Sequence, residues 1–212
     1  MIAFIDCFID IPVYNCVNQF VENTNIPSTY HVPSKFGTES LEAIKNPTCY
    51  VILGSAAHVT ENHPWQKELL NFIIPKLESG IPVLGICYGH QLMANYFGCE
   101  VGYCHSDKGQ IKELREIQYN NSVIHMAYAH AQKVKSITSD FEVLGRSNQF
   151  DFEILKHKTL PLTSTQGHPE ASKGYLQNEL KVGSLLQKTL SDGENFIKDF
   201  YLGIRSTPSS TS

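Results

Sequence analysis

Charge is scarce in this 212-residue chain, where Asp, Glu, Lys and Arg together make up 18%. So low a share argues against disorder driven by charge repulsion. Neither sign dominates: 17 basic residues face 21 acidic ones, for a net charge of −4. The sequence therefore carries no electrostatic footprint for nucleic acid or an anionic membrane. No uninterrupted apolar run approaches the roughly 20 residues that span a bilayer. The apolar start, MIAFIDCFIDIPVYN, lacks a basic leading segment and carries Asp6 and Asp10 within it, so it reads as a buried first strand, not a secretory leader. Glycine and proline, at 14 and 10 residues, are too few for a collagen-like or low-complexity chain.

What is present suits one large α/β domain. Apolar residues make up 42%, enough for a continuous core at this length. Six cysteines stand at 7, 16, 49, 87, 99 and 104. A chain that can build its own core does not need a disulfide framework, so free thiols and a cytoplasmic, reducing location are expected. Cys99, Cys104 and His105 lack the closely spaced ligand pair and second half of a zinc site; no metal and no cofactor is expected.

Through the first half, apolar runs alternate with amphipathic stretches. Met1–Asp6, Ser28–Val32, Cys49–Leu53 and Pro82–Ile86 read as strands. Val13–Glu22 reads as a helix with Val13, Val17, Phe20 and Val21 on one face, Glu39–Ile44 as a short helix, and Pro64–Ser79 as a helix that Pro75 kinks or stops. A further helix runs from Tyr88 to Phe97 and ends at Gly98. This order predicts a mostly parallel sheet flanked by helices, of flavodoxin-like type. Between Ile111 and Thr165 six short β-rich pieces follow one another: Lys112–Gln118, Ser122–Tyr128, Lys133–Ile137, Glu142–Arg146, Phe150–Leu155 and Leu160–Thr165. They predict an added antiparallel segment. Helical character returns over Ala171–Leu190, with a last short helix over Ser191–Gly203. A single domain is expected over 1–204, followed by a disordered Ser/Thr/Pro-rich tail at 205–212.

Two motifs carry chemistry. Gly85-Ile86-Cys87-Tyr88-Gly89 lies between a predicted strand and helix, and is the thiol counterpart of the Gly-x-Ser-x-Gly nucleophile elbow. Such a turn is tight and strained, and the flanking glycines let neighbouring backbone pass close by. The competing reading is a buried cysteine that acts as a small hydrophobe. The second motif is Gln166-Gly167-His168-Pro169-Glu170. Proline disfavours helical backbone before it, so His168 is expected to be extended, with Glu170 on the same face. The two motifs together supply a nucleophile, a base and the carboxylate that orients it.

GICYGHQLMANYFG and GHPE resemble the class I glutamine amidotransferases, and most closely the amidotransferase domain of the GMP-synthase type. The resemblance runs from Met1 to about Leu190. It implies hydrolysis of the glutamine side-chain amide to glutamate and ammonia through a γ-glutamyl thioester on Cys87, with His168 as base and acid and Glu170 as its orienter. It also implies an oxyanion site formed by the Tyr88 N–H and the Gly54–Ser55 turn. Gln91 and the Ala129, His130, Ala131 and Gln132 segment would then hold the substrate. Two positions depart from the family pattern. Gly54-Ser55-Ala56 replaces the usual Gly-Gly-Pro or Gly-Pro-Gly, so positive φ there would strain Ser55 or Ala56; otherwise the hole forms only when substrate or partner reorders the loop. Ala131-Gln132 replaces Gly-Asp, which keeps a larger γ-glutamyl amide in play as substrate.

Neither a P-loop nor the Ser-Gly-Gly-x-Asp-Ser loop of the GMP-synthase ATP pyrophosphatase occurs in the sequence. The expectation is a stand-alone amidotransferase subunit that gives ammonia to a separate synthetase chain, or a γ-glutamyl amide hydrolase. The alternative from another class is a non-catalytic glutamine-binding module. A stress-protein and protease branch of the same fold usually has His directly after the cysteine; Tyr88 argues against it.

Overall fold

The computed structural model describes residues 1–12 and 15–206. Its main feature is a nine-stranded sheet ordered β2-β1-β3-β4-β11-β10-β9-β6-β7. The first five strands in that order are β2 (Ser28–His31), β1 (Ile2–Ile5), β3 (Cys49–Ile52), β4 (Val83–Ile86) and β11 (Leu162–Thr165), and they run parallel. The other four are β10 (Ile154–His157), β9 (Phe141–Arg146), β6 (Ile111–Tyr119) and β7 (Ser122–His130), paired antiparallel. A separate two-stranded sheet pairs β5 (Glu100–Tyr103) with β8 (Gln132–Ser136).

Both faces of the sheet are buried, as the near-continuous apolar runs of its parallel strands require. Ala3, Ile5, Tyr50, Ile52 and Val83 face one side, against Leu69, Ile73 and Leu77 of α4 (Pro64–Glu78) and Leu92 and Met93 of α5 (Tyr88–Tyr96). Ile2, Phe4, Val51, Leu84 and Ile86 face the other side, against Phe20 of α1 (Asn15–Thr24) and Phe196 and Ile197 of α7 (Leu186–Ser206). Among the described residues there are also three short α-helices, α2 (Pro33–Phe36), α3 (Glu39–Glu42) and α6 (Lys173–Asn178), and a 3-10 turn at Val59–Glu61. No helix of the described residues is long and apolar enough to cross a membrane.

The predicted α/β architecture with its antiparallel segment is present, but several local expectations differ. β11, expected to end the antiparallel series, does pair antiparallel with β10, but on its other edge it runs parallel to β4 in the middle of the sheet. β5 has no counterpart among the expected strands. β10 begins four residues later than expected because Ser147–Phe150 forms a turn, with the Ser147 N–H donating to the Phe150 carbonyl at 2.9 Å. The Phe150 ring lies instead against the Arg115 guanidinium, 4.5 Å away. Pro75 does not stop α4: buried Ile74 and Leu77 hold its last turn, and the Ser79 N–H bonds to the Pro75 carbonyl at 3.0 Å. The single helix expected over 171–190 breaks, with Lys181 at φ 51°, and α7 is one helix of 21 residues rather than a short terminal one. Val13 and residues 207–212 lie outside the described residues.

Because β1, β3, β4 and β11 are parallel, their carboxyl ends share one edge, where open α/β sheets build their sites. Asp6, Gly54, Cys87 and His168 follow these strands. The elbow is set by close packing. A methyl on Gly89 would come within 2.4 Å of the Ile52 carbonyl oxygen, and one on Gly85 within 2.7 Å of the Gly89 backbone. Gly89→Ala is expected to destabilise the fold by about 3 kcal/mol, measured by urea denaturation. A loss below about 0.5 kcal/mol, within the scatter of ordinary surface substitutions, would show that this contact does not hold the turn.

Candidate active site

Cys87 caps α5 at φ 51° and ψ −97°, a region that non-glycine residues avoid. Its N–H is fixed by the Thr165 carbonyl at 2.8 Å, and its sulfur lies 3.7 Å from the Ala129 carbonyl oxygen. The expected extended backbone at His168 is present: His168 bridges Ala127 of β7, donating its N–H to that carbonyl at 2.8 Å. From there the ring places Nδ1 2.8 Å from Glu170 Oε1. A methyl built on Gly54 would stand 3.0 Å from His168 Cε1 and 3.9 Å from Cys87 Sγ, so the Gly54 turn, the imidazole and the thiol converge on one point.

The electrostatics follow from this packing. Burial alone would lower the His168 pKa; the Glu170 carboxylate, and after it the Cys87 sulfur, outweigh burial and hold it well above the ordinary histidine range. The ring therefore keeps its proton through neutral pH. A raised value contributes stability that is complete below the unfolded pKa, about 6.5, and is lost as pH rises through the folded value.

The site opens into a cavity of about 590 Å³ whose lining includes Cys87, His168, Glu170, Gly54, Ser55 and Ala129. Ser55 Oγ donates to the Cys7 carbonyl at 2.7 Å and accepts the Ala57 N–H at 2.9 Å. Neither Ser55 nor Ala56 has positive φ, so the turn carries none of the strain that a left-handed backbone would impose. Tyr88 is the first residue of α5 and its N–H has no acceptor within the helix, while its hydroxyl accepts from Gln66 at 2.7 Å, away from the cavity.

The remaining expected substrate residues lie behind the cavity wall. Gln91 donates to the Gln132 carbonyl at 2.7 Å and to Gln166 Oε1 at 3.0 Å. Gln132 donates to Thr60 Oγ1 at 2.7 Å, and the Ala131 carbonyl accepts the Cys104 N–H at 2.8 Å. His130 donates from Nδ1 to the Gln132 carbonyl at 2.8 Å. Burial pushes its pKa down to about 4, opposed by that carbonyl. Fully buried His90, 2.9 Å from Ser164 Oγ, is pushed down to about 3 by burial and then by His130.

Several lining residues went unrecognised in the sequence: Asp6, Phe8 and Ile9 after β1, and Tyr175 and Glu179 on and after α6. A signal for Asp6 existed, since an acidic residue directly after a buried parallel strand stands at the edge where sites form. Tyr175 carried none, because its place depends on how α6 folds back over His168.

This chain belongs to the class-I glutamine amidotransferase family. The family model for glutamine amidotransferase class-I matches residues 4–182. The chain is 30% identical to the glutamine-hydrolyzing GMP synthase subunit of Methanocaldococcus jannaschii over 155 residues, which cover 70% of this chain and 78% of that one. It is 35% identical to the corresponding GMP synthase subunit of Pyrococcus furiosus over 101 residues, 45% of this chain and about half the length of the relative, 54%. A glutamine amidotransferase from Thermotoga maritima shares the fold, with a TM-score of 0.65, 17% identity, and coverage of 96% of this chain and 94% of that chain.

Two outcomes test these electrostatics. Glu170→Gln is expected to move the His168 ring titration, followed by NMR of its Cε1 proton, to lower pH; an unmoved titration would show that the carboxylate does not set the ring's charge. The depressed His90 and His130 values mean that the unfolded chain takes up protons the folded chain refuses. Stability is therefore expected to fall as pH drops from about 6.5 to 5, by up to about 1.4 kcal/mol per unit for each ring. His130→Gln should flatten that dependence of the urea midpoint, and an unchanged slope would contradict the assignment.

Proposed function

We propose that the chain hydrolyses the side-chain amide of glutamine through a thioester on Cys87. The observation that carries this reading is the convergence of a strained elbow cysteine, a proton-holding His168 and its partner Glu170 at 2.8 Å. In the acylation step the Cys87 sulfur attacks the amide carbon, and the negative oxygen that develops is met by the N–H groups of Tyr88 and the Gly54–Ser55 turn. His168 gives its proton to the departing nitrogen as the C–N bond breaks, leaving ammonia and a γ-glutamyl thioester. His168 then takes a proton from water, whose hydroxide attacks the thioester and releases glutamate and the Cys87 thiolate beside the re-protonated ring, which restores the starting state. Glu170 holds the ring in one orientation through both steps.

The names of the relatives, subunits of a glutamine-hydrolyzing GMP synthase, support delivery of that ammonia to a synthetase on a separate chain. A second reading is favoured by the cavity itself. At about 30 Å³ per water-sized volume, its roughly 590 Å³ holds on the order of 20 such volumes, more than the ten non-hydrogen atoms of glutamine need. A larger γ-glutamyl amide therefore fits the same chemistry.

Incubation with a glutamine-mimicking chloroketone is expected to add one label to Cys87, read by intact mass and peptide mapping. Cys87→Ala should abolish both labelling and ammonia release from glutamine. Labelling at another cysteine, or none on folded protein, would favour the non-catalytic binding module.

A further inference from the structure

Among the described residues, four carboxylates line the cavity, from Asp6, Asp10, Glu170 and Glu179, against one cation, the His168 ring that Glu170 pairs, and no lysine or arginine. An anionic group brought into such a space would meet like charge on several sides, whereas a cation would be drawn in. Asp6 already accepts the Phe8 N–H at 2.9 Å and the Tyr30 hydroxyl. Asp10 and Glu179 are exposed at the mouth. Glu170, only 4% exposed, uses Oε1 on His168, yet its Oε2 is buried with no hydrogen-bond partner. The Tyr175 hydroxyl, on the same cavity, is likewise buried and unpartnered. Buried polar atoms of this kind ordinarily find partners, and both residues line the cavity that holds Cys87 and His168. Phe8, Ile9 and Ile11 add an apolar stretch to the lining.

We infer that this cavity takes a γ-glutamyl amide whose nitrogen carries an alkyl chain ending in a cationic amine. The inference rests on the hydrolytic reading above and names the substrate class of that same site. Glu170 Oε2 and the Tyr175 hydroxyl meet the amide N–H and its neighbours, the apolar stretch takes the methylene chain, and Asp10 and Glu179 face the terminal ammonium at the mouth. The chemistry balances as for glutamine. Sulfur replaces nitrogen on the γ-carbon, the departing amine takes the His168 proton, and water then releases glutamate.

The test uses the full chain and three γ-glutamyl amides matched in length: those of 1,4-diaminobutane, butylamine and 4-aminobutanoate, with glutamine as reference. Binding to Cys87→Ala by calorimetry is expected to rank the cationic amide first, the neutral one second and the anionic one last, with about tenfold between the first two. The same order is expected in kcat/KM for the unaltered chain. Asp10→Asn combined with Glu179→Gln, both exposed positions that keep the fold, should bring the cationic-to-neutral ratio close to one. A flat or reversed binding order, or a ratio untouched by the double substitution, would overturn the inference. If glutamine is still cleaved and Cys87 still labelled, the hydrolytic reading survives that failure. Should the binding order hold while no amide is cleaved and Cys87 stays unlabelled, the substrate class stands and the hydrolytic reading falls.

Discussion

The hydrogen bond between Glu170 and His168 is the contact on which the rest of the site depends. A protonated imidazole taken out of water is costly, and burial by itself would strip the proton from this one. The carboxylate at 2.8 Å reverses the balance, and the Cys87 sulfur on the far side adds to it. The arrangement is mutual, since the Glu170 side chain is even more buried than the ring and a lone buried carboxylate would be equally unfavourable. Neighbouring elements hold the pair in place. Ala127 fixes the His168 backbone from β7, and α7 presses against the turn from behind. A methyl on Gly193 would come within 2.3 Å of the Pro169 carbonyl oxygen, so only glycine allows that approach.

The two halves of the main sheet divide the work. The parallel half aligns four strand ends along one edge and so delivers the Asp6, Gly54, Cys87 and His168 positions to a single place. The antiparallel half closes the site from the side: Ala129, on the same strand as Ala127, lines the cavity and offers its carbonyl to the Cys87 sulfur. Behind that strand lies a dense polar layer. Arg115 pairs with Glu153 at 2.8 Å and lies over the Tyr128 ring at 3.9 Å. Gln91 hydrogen-bonds to both Gln132 and Gln166 nearby. Such a layer resists rearrangement, because breaking one member leaves its neighbours buried and unsatisfied.

Local motifs were legible because their physics is local. The strand–Cys–helix elbow announces itself through glycines that packing demands, and the His-Pro-Glu turn through proline's hold on the residue before it. The parallel strands were visible as short β-rich runs that end at the site. Legibility failed where distant segments set the outcome. Phe150 reads as a strand residue but is drawn off by a guanidinium 35 positions earlier in the sequence, and β11, antiparallel to β10 as read, takes on its other edge a parallel partner, β4, about 80 residues away. Gln91 and Gln132 read as substrate contacts; that their Nε2 groups bond to the Gln132 carbonyl and to Thr60 Oγ1 could not be read from any short pattern.

The sequence alone determined the α/β class, the family, and which cysteine, histidine and glutamate belong together, because these follow from patterns spanning a few residues. Only the tertiary structure decided the size, charge and walls of the cavity. Those depend on where the loop after β1 and the short helix α6 come to rest against the sheet edge, and burial and Coulomb energies between segments so far apart in the chain leave no periodic trace in it.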